Sequence, residues 1–187
     1  MANVPYKTAS RFLSVASGSR NIKVNAAGTS TTVINANLDA ALNSFTTIIA
    51  ADFSEQIVPL VLPDENTPPA DPDSLKVRVV HGAPSAPPVD VYVTVPGLDI
   101  STTTPNLSDV AFKGISAFLE VLEGNYQIRL TEVGSDTPIY DSGEIQLVAG
   151  SILTVVAVDA TGGGLPVSLV VLTNDPANPF VEFPDIL

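Results

Sequence analysis

The stretch Lys76-Val77-Arg78-Val79-Val80-His81-Gly82-Ala83-Pro84-Ser85-Ala86-Pro87-Pro88-Val89-Asp90-Val91-Tyr92-Val93 decides the fold class. Lys76 to His81 and Val89 to Val93 alternate with period two, and the Gly/Pro-rich run between them forbids a continuous helix. Two short strands joined by a turn are therefore expected. The same alternation recurs over Ala117–Leu122, Tyr126–Leu130, Glu144–Val148, Leu153–Val158 and Val167–Leu172, each bounded by Gly, Pro, Asn or Asp. Many short strands at this spacing imply an all-β, antiparallel β-sandwich with Greek-key connections. Asn37–Ser44 carries Leu38, Ala41 and Leu42 at helical spacing, yet its place in the repeat described next makes it a strand.

Shifting the chain by about 106 residues lays its start on its second half. Val4, Tyr6, Lys7, Ser10, Phe12, Leu13 and Val15 meet Val110, Phe112, Lys113, Ser116, Phe118, Leu119 and Val121. Gly18, Ile22 and Gly28 meet Gly124, Ile128 and Gly134. After one inserted residue Thr47-Ile48-Ile49-Ala50 meets Thr154-Val155-Val156-Ala157, Asp52 meets Asp159, and Leu60-Val61-Leu62 meets Val170-Val171-Leu172. Apolar positions at strand spacing and turn glycines match while polar positions drift, so a structural unit is duplicated rather than a catalytic site. The expected organisation is tandem: an incomplete first repeat over residues 1–63 without its opening strands, a Pro/Asp-rich linker over 64–74, a complete sandwich over 75–175, and an apolar tail over 176–187.

Composition narrows the function. The net charge is −12, with 8 basic against 20 acidic residues, which argues against nucleic-acid and anionic-membrane partners. No apolar run approaches the ~20 residues of a transmembrane helix. Without cysteine there is no disulfide and no thiolate chemistry. Met1-Ala2-Asn3-Val4 does not read as a signal peptide.

The run from Val77 to Val93 resembles the opening of the DUF4397 family, which typically reads VRVVHASPDAPxVDVYV; Gly82 stands for a usual Ala and Ser85 for a usual Asp. Phe112-Lys113 to Gly124-Asn125-Tyr126 and Val167–Leu172 are similar to later parts of the same family. The resemblance implies an immunoglobulin-like β-sandwich in a bacterial secreted or surface protein, often in tandem. It brings no catalytic residues.

Candidate chemistry is sparse. His81 is the one histidine; with Ser85 and Asp90 it could form a hydrolase triad, but it more simply bonds the turn it enters. Asp71 and Asp73, or Asp52 and Asp159 at equivalent strand ends, are calcium candidates without an EF-hand pattern. Gly162-Gly163-Gly164 reads as a hairpin loop rather than a phosphate loop. Asn106-Leu107-Ser108 is a formal glycosylation sequon, and Tyr92, Tyr126 and Tyr140 are candidates for a sugar-stacking face.

The expectation is a non-enzymatic, secreted or cell-surface structural or adhesion-type protein without cofactor. The alternatives are a glycan- or protein-binding module acting through Gly82–Pro88 and, remotely, a hydrolase using His81. An incomplete repeat leaves an open edge, which the apolar tail could cover in cis or a strand from another molecule could fill to give a homo-oligomer, either dimer or fibre. Phe180, Val181, Phe183, Ile186 and Leu187 in the tail are the expected donors.

Overall fold

A computed structural model describes residues 4–174 and 179–183. Among them the chain is all-β, with one turn of 3₁₀ helix at Ile100–Thr102. The strands are β1 (Gly18–Asn25), β2 (Thr32–Ala40), β3 (Phe45–Ala51), β4 (Val58–Asp64), β5 (Ser74–His81), β6 (Val89–Thr94), β7 (Leu107–Val110), β8 (Leu119–Leu122), β9 (Gly124–Glu132), β10 (Pro138–Leu147), β11 (Ile152–Val158), β12 (Ser168–Thr173) and β13 (Phe180–Glu182).

The second half forms two packed sheets. One runs β10-β9-β6-β7 and the other β13-β12-β11-β5-β8. Val79, Val155, Ala157, Leu169 and Val171 of the second meet Val91, Leu130, Tyr140 and Leu147 of the first in one core. The pairing is antiparallel except between β5 and β11, which run parallel. This departs from a purely antiparallel arrangement: β5 enters the sheet between β11 and β8, and its direction matches that of β11. Asn37–Ala40 is strand as expected, while Ala41–Ser44 turns.

The first half forms two separate hairpins, β1-β2 and β3-β4. Their registers reproduce the sequence repeat pair by pair. Thr47↔Leu62, Ile48↔Val61 and Ile49↔Leu60 correspond to Thr154↔Leu172, Val155↔Val171 and Val156↔Val170. The irregularity beside Val24↔Ile34 recurs beside Leu130↔Tyr140. Lys7 and Lys113 both hold positive φ, 62° and 68°, in matching turns. The inserted residue is a β-bulge: β10 has an extra residue between Asp141 and Glu144 that β2 lacks. Gly143, in that bulge, has φ 61°.

The β3-β4 hairpin lies on the outer face of the five-stranded sheet. Leu62, Ile49 and Leu60 pack against Val80, Val156, Val158 and Leu172. Leu62 and Leu172, like Ile49 and Val156, are repeat counterparts, so equivalent faces of the two copies meet. Because of this third layer every residue of β5 is buried, including Lys76 and Arg78, which the alternation alone assigns to solvent. The stretch expected to be a spacer is also held down. Asp64 ends β4, Glu65 pairs with Lys76 at 2.6 Å, and the Ala70 N–H donates to Glu120 at 3.3 Å.

Candidate functional site

His81 ends β5, 1% exposed. Its Nε2 lies 3.0 Å from the Pro87 carbonyl, which can only accept, so Nε2 carries the proton. The Ala83 N–H donates to Nδ1 at 3.4 Å, and Phe112 packs edge-on at 6.2 Å. Ser85 and Asp90 do not join it. Ser85 Oγ donates to Asp159 at 2.7 Å, and Asp90 accepts the N–H groups of Asp109 and Gly134. The three residues that could form a triad are thus each bound to a different part of the turn structure.

The calcium candidates are similarly dispersed. Asp159 clamps the Gly82–Pro88 loop by accepting both the Ser85 N–H and hydroxyl. Its repeat counterpart Asp52 accepts from Lys113 at 2.8 Å, and Asp71 accepts the Asp73 N–H in a local turn. Among the described residues no three His, Asp or Glu side chains converge. Tyr140 is fully buried in the core and Tyr92 is 6% exposed, so they do not form a surface face with Tyr126, whose hydroxyl donates to the Leu122 carbonyl. Asn106 Oδ1 accepts the Val93 N–H, and the three glycines 162–164, all at positive φ, close the β11-β12 loop.

The Lys113 ammonium and the Phe53 N–H hold the Asp52 carboxyl below its ordinary range. A depressed folded value means this contact supports the fold above the unfolded carboxylate pKa of about 4 and is lost as the pH falls below it. Lys113→Ala is therefore expected to lower stability at pH 6, with a deficit that shrinks as the pH falls through the depressed Asp52 value. Urea titrations over a descending pH series check this; a deficit that stays constant as Asp52 is protonated contradicts it. At the other arm of the contact between copies, Tyr6 donates to the Asp159 carbonyl and Lys7 to Ser168 Oγ. Burial, with the Asp159 charge, raises the Tyr6 phenol. Lys7 and Lys113 are counterparts, so each copy reaches across to the far copy's strand ends.

The most developed polar site is one that alternation hides. Arg78 Nε donates to Thr154 Oγ1 at 2.8 Å, Nη1 to the Pro63 carbonyl at 2.8 Å, and Nη2 to Asp64. The guanidinium lies 4.8 Å from the centre of the Phe118 ring. Beside it a shallow cleft is lined by Phe118, Thr154 and Asn174 and by their first-half counterparts Phe12, Thr47 and Asp64. The cleft thus straddles the relation between the copies, but an arginine occupies one side only.

That asymmetry follows from the topology. β11 has β12 on one flank and β5 on the other; its counterpart β3 has β4 alone among the described residues. β9 likewise pairs with β10 and β6, whereas β1 pairs with β2 alone among the described residues. Val61, on the face equivalent to the sandwich interior, is 42% exposed where its counterpart Val171 is 0%. The segment Phe180–Glu182, expected to be donated, pairs instead in cis with β12, and Phe183 packs on the same core. Ile186 and Leu187 lie outside the described residues.

No curated protein matches the chain. The family described as a domain of unknown function (DUF4397) matches it twice, over residues 1–92 and 76–180. With both halves matched and their strand registers in correspondence, the chain belongs to the DUF4397 family, as one complete copy and a partial, overlapping one.

Proposed function

We propose that this is a non-enzymatic, extracellular or cell-surface protein of structural or adhesion type, whose working element is the open edge of its first copy. Each copy is of immunoglobulin-like, Greek-key kind, arranged in tandem. The alternation of the complete copy between sheets supports this: β5 lies in one, β6 and β7 in the other, β8 in the first again. The observation that carries the functional reading is the pair of edges on β3 and β1 beside an exposed apolar face. Such edges pair with other chains unless covered. Polar residues that could do chemistry, His81, Ser85, Asp90 and Asp159, are bound within turns instead.

The peptide groups that face outward from β3 can be assigned. In the complete copy the Ser151 and Ala157 carbonyls accept from Lys76 and Gly82 of β5 and its end. Leu153 and Val155, in phase with Ala157, therefore face β5, and the counterparts of these three, Thr46, Ile48 and Ala50, face the open side of β3. Thr46→Pro removes one outward N–H at a sheet edge, where proline is tolerated. In light scattering the purified chain is expected to exceed its 19.4 kDa monomer mass increasingly with concentration, and Thr46→Pro to suppress that growth. A parent chain that stays monomeric at every concentration sinks the assembly reading.

A further inference from the structure

We propose that the outer face of β9, around Arg129 and Thr131, binds an uncharged saccharide unit, admitted when the loop of residues 95–106 lifts from it. This site is independent of the open edge of β3.

Gln127, Arg129 and Thr131 alternate along β9 with Ile128 and Leu130 of the core. Tyr92 and Thr94 lie opposite Arg129 and Gln127 on one flank, and Asp141 lies opposite Arg129 on the other. The outer face of an antiparallel sheet ordinarily meets water. Here Tyr92, Thr94, Arg129, Thr131 and Asp141 are all less than one-tenth exposed. The cover is the loop between β6 and β7. Its Gly97 N–H donates to Gln127 Oε1 at 2.7 Å, and its Ile100 is buried yet belongs to neither apolar core. Hydrogen bonds from Ser101 and, to a smaller extent, the Arg129 charge hold the Asp99 carboxyl below its ordinary range, so the loop lies within electrostatic reach of the guanidinium.

The closed loop does not satisfy the face it covers. Arg129 Nη2 donates to Thr94 Oγ1 at 2.8 Å, but Arg129 Nε and Thr131 Oγ1 are buried without a partner. Among the described residues no carboxylate forms an ion pair with Arg129. Asp141, its cross-strand neighbour, accepts instead from Gln127 at 2.8 and 2.9 Å and from the Gly143 N–H. Polar groups that served only to anchor the loop would be paired when it is shut. The same arrangement recurs in the first copy. Most polar positions drift between the copies, but Asn21, Lys23 and Asn35 match Gln127, Arg129 and Asp141. Lys23 lies opposite Asn35 as Arg129 lies opposite Asp141, and Asn21 donates to Asn35 as Gln127 does to Asp141. A carboxamide, its acceptor and a cation are thus kept together on a face where the apolar core does not require them.

The surrounding chemistry selects the ligand. One guanidinium stands among Asp90, Asp99 and Asp141, in a chain of net charge −12, which disfavours an anion. The middle of a sheet face offers side chains and no backbone edge, so an added peptide strand has nothing to pair with. The groups on offer are an N–H donor, a hydroxyl and a carboxylate beside the Tyr92 ring. Ligand hydroxyls both donate and accept, and the ring takes the apolar face of a sugar.

Nuclear magnetic resonance of the full chain, observing Arg129 Nε–H and the loop amides, tests this. Methyl α-D-glucopyranoside, methyl α-D-galactopyranoside and methyl α-D-mannopyranoside are titrated separately, with sodium acetate as the anionic control. At least one glycoside is expected to shift both sets of signals saturably, and acetate neither. Thr131→Val removes a hydroxyl that has no partner under the closed loop. It is expected to keep the urea midpoint while weakening glycoside binding roughly tenfold. Ile100→Ala loosens the cover and is expected to tighten binding severalfold. No shift with any glycoside up to about 100 mM overturns the site. So does a response to acetate as strong as that to the glycosides, or a slowly exchanging water at Arg129 Nε that persists through the titration. Equal binding by the parent and Thr131→Val chains overturns it as well.

Discussion

Replacing Arg78 by alanine is expected to destabilise the protein by about 3–5 kcal/mol, the range for removing one member of a buried ion pair. The guanidinium side chain is 4% exposed and the Asp64 carboxylate 13%. Alanine leaves the Pro63 carbonyl without its donor and the Asp64 carboxylate with the Thr47 hydroxyl but no cation, and removes the group stacked on Phe118. The effect should be cooperative across the two copies, because Arg78 belongs to β5 whereas Pro63 and Asp64 end β4. Combining Arg78→Met with Asp64→Leu tests the cause. Buried pairs replaced by apolar groups are often neutral, so the double variant should recover to within about 1 kcal/mol of the parent. Urea unfolding followed by circular dichroism measures both. A single-variant loss below about 1 kcal/mol would mean that water screens the pair as it does a surface bridge.

Leu62→Ala is expected to cost about 2–5 kcal/mol, the span for emptying a buried leucine site. Leu62 is 1% exposed and sits among Val80, Val156 and Leu172, between the first copy's hairpin and the complete copy's sheet. Unlike a substitution in the sandwich core, this one should act on a boundary. Hydrogen exchange is expected to accelerate in β3 and β4, with Val91 and Leu130 in the main core keeping their protection. A uniform acceleration over both copies would show instead that the halves unfold as one unit.

The repeat was legible because it lies in apolar spacing and turn glycines, which local backbone geometry constrains whatever the neighbours are. Ile48↔Val61 and Val155↔Val171 are cross-strand pairs in the fold and aligned positions in the chain. The extra residue in the second repeat was legible too, but not its form as a bulge in β10. The candidate site was not legible. Lys76-Val77-Arg78-Val79 reads as a strand with one wet face, since charged residues at alternate positions ordinarily meet solvent. Nothing in that pattern says that Asp64 and Pro63 return to cover it. His81, conspicuous as the one histidine, ends β5 and bonds the turn that follows it. The tail offered two phenylalanines, which its composition marks as packed somewhere; it could not mark β12 of the same chain as the place.

The sequence established the all-β class, the family and the one-and-a-half-fold repeat, because each depends on periodicities within a few residues or on the chain compared with itself. Which faces meet, where Arg78 finds its partners and which strand edges stay open depend on contacts between residues far apart in the chain. Those are settled when the outer faces around Leu62 and Val156 bury each other, and β3 is left paired with β4 alone among the described residues.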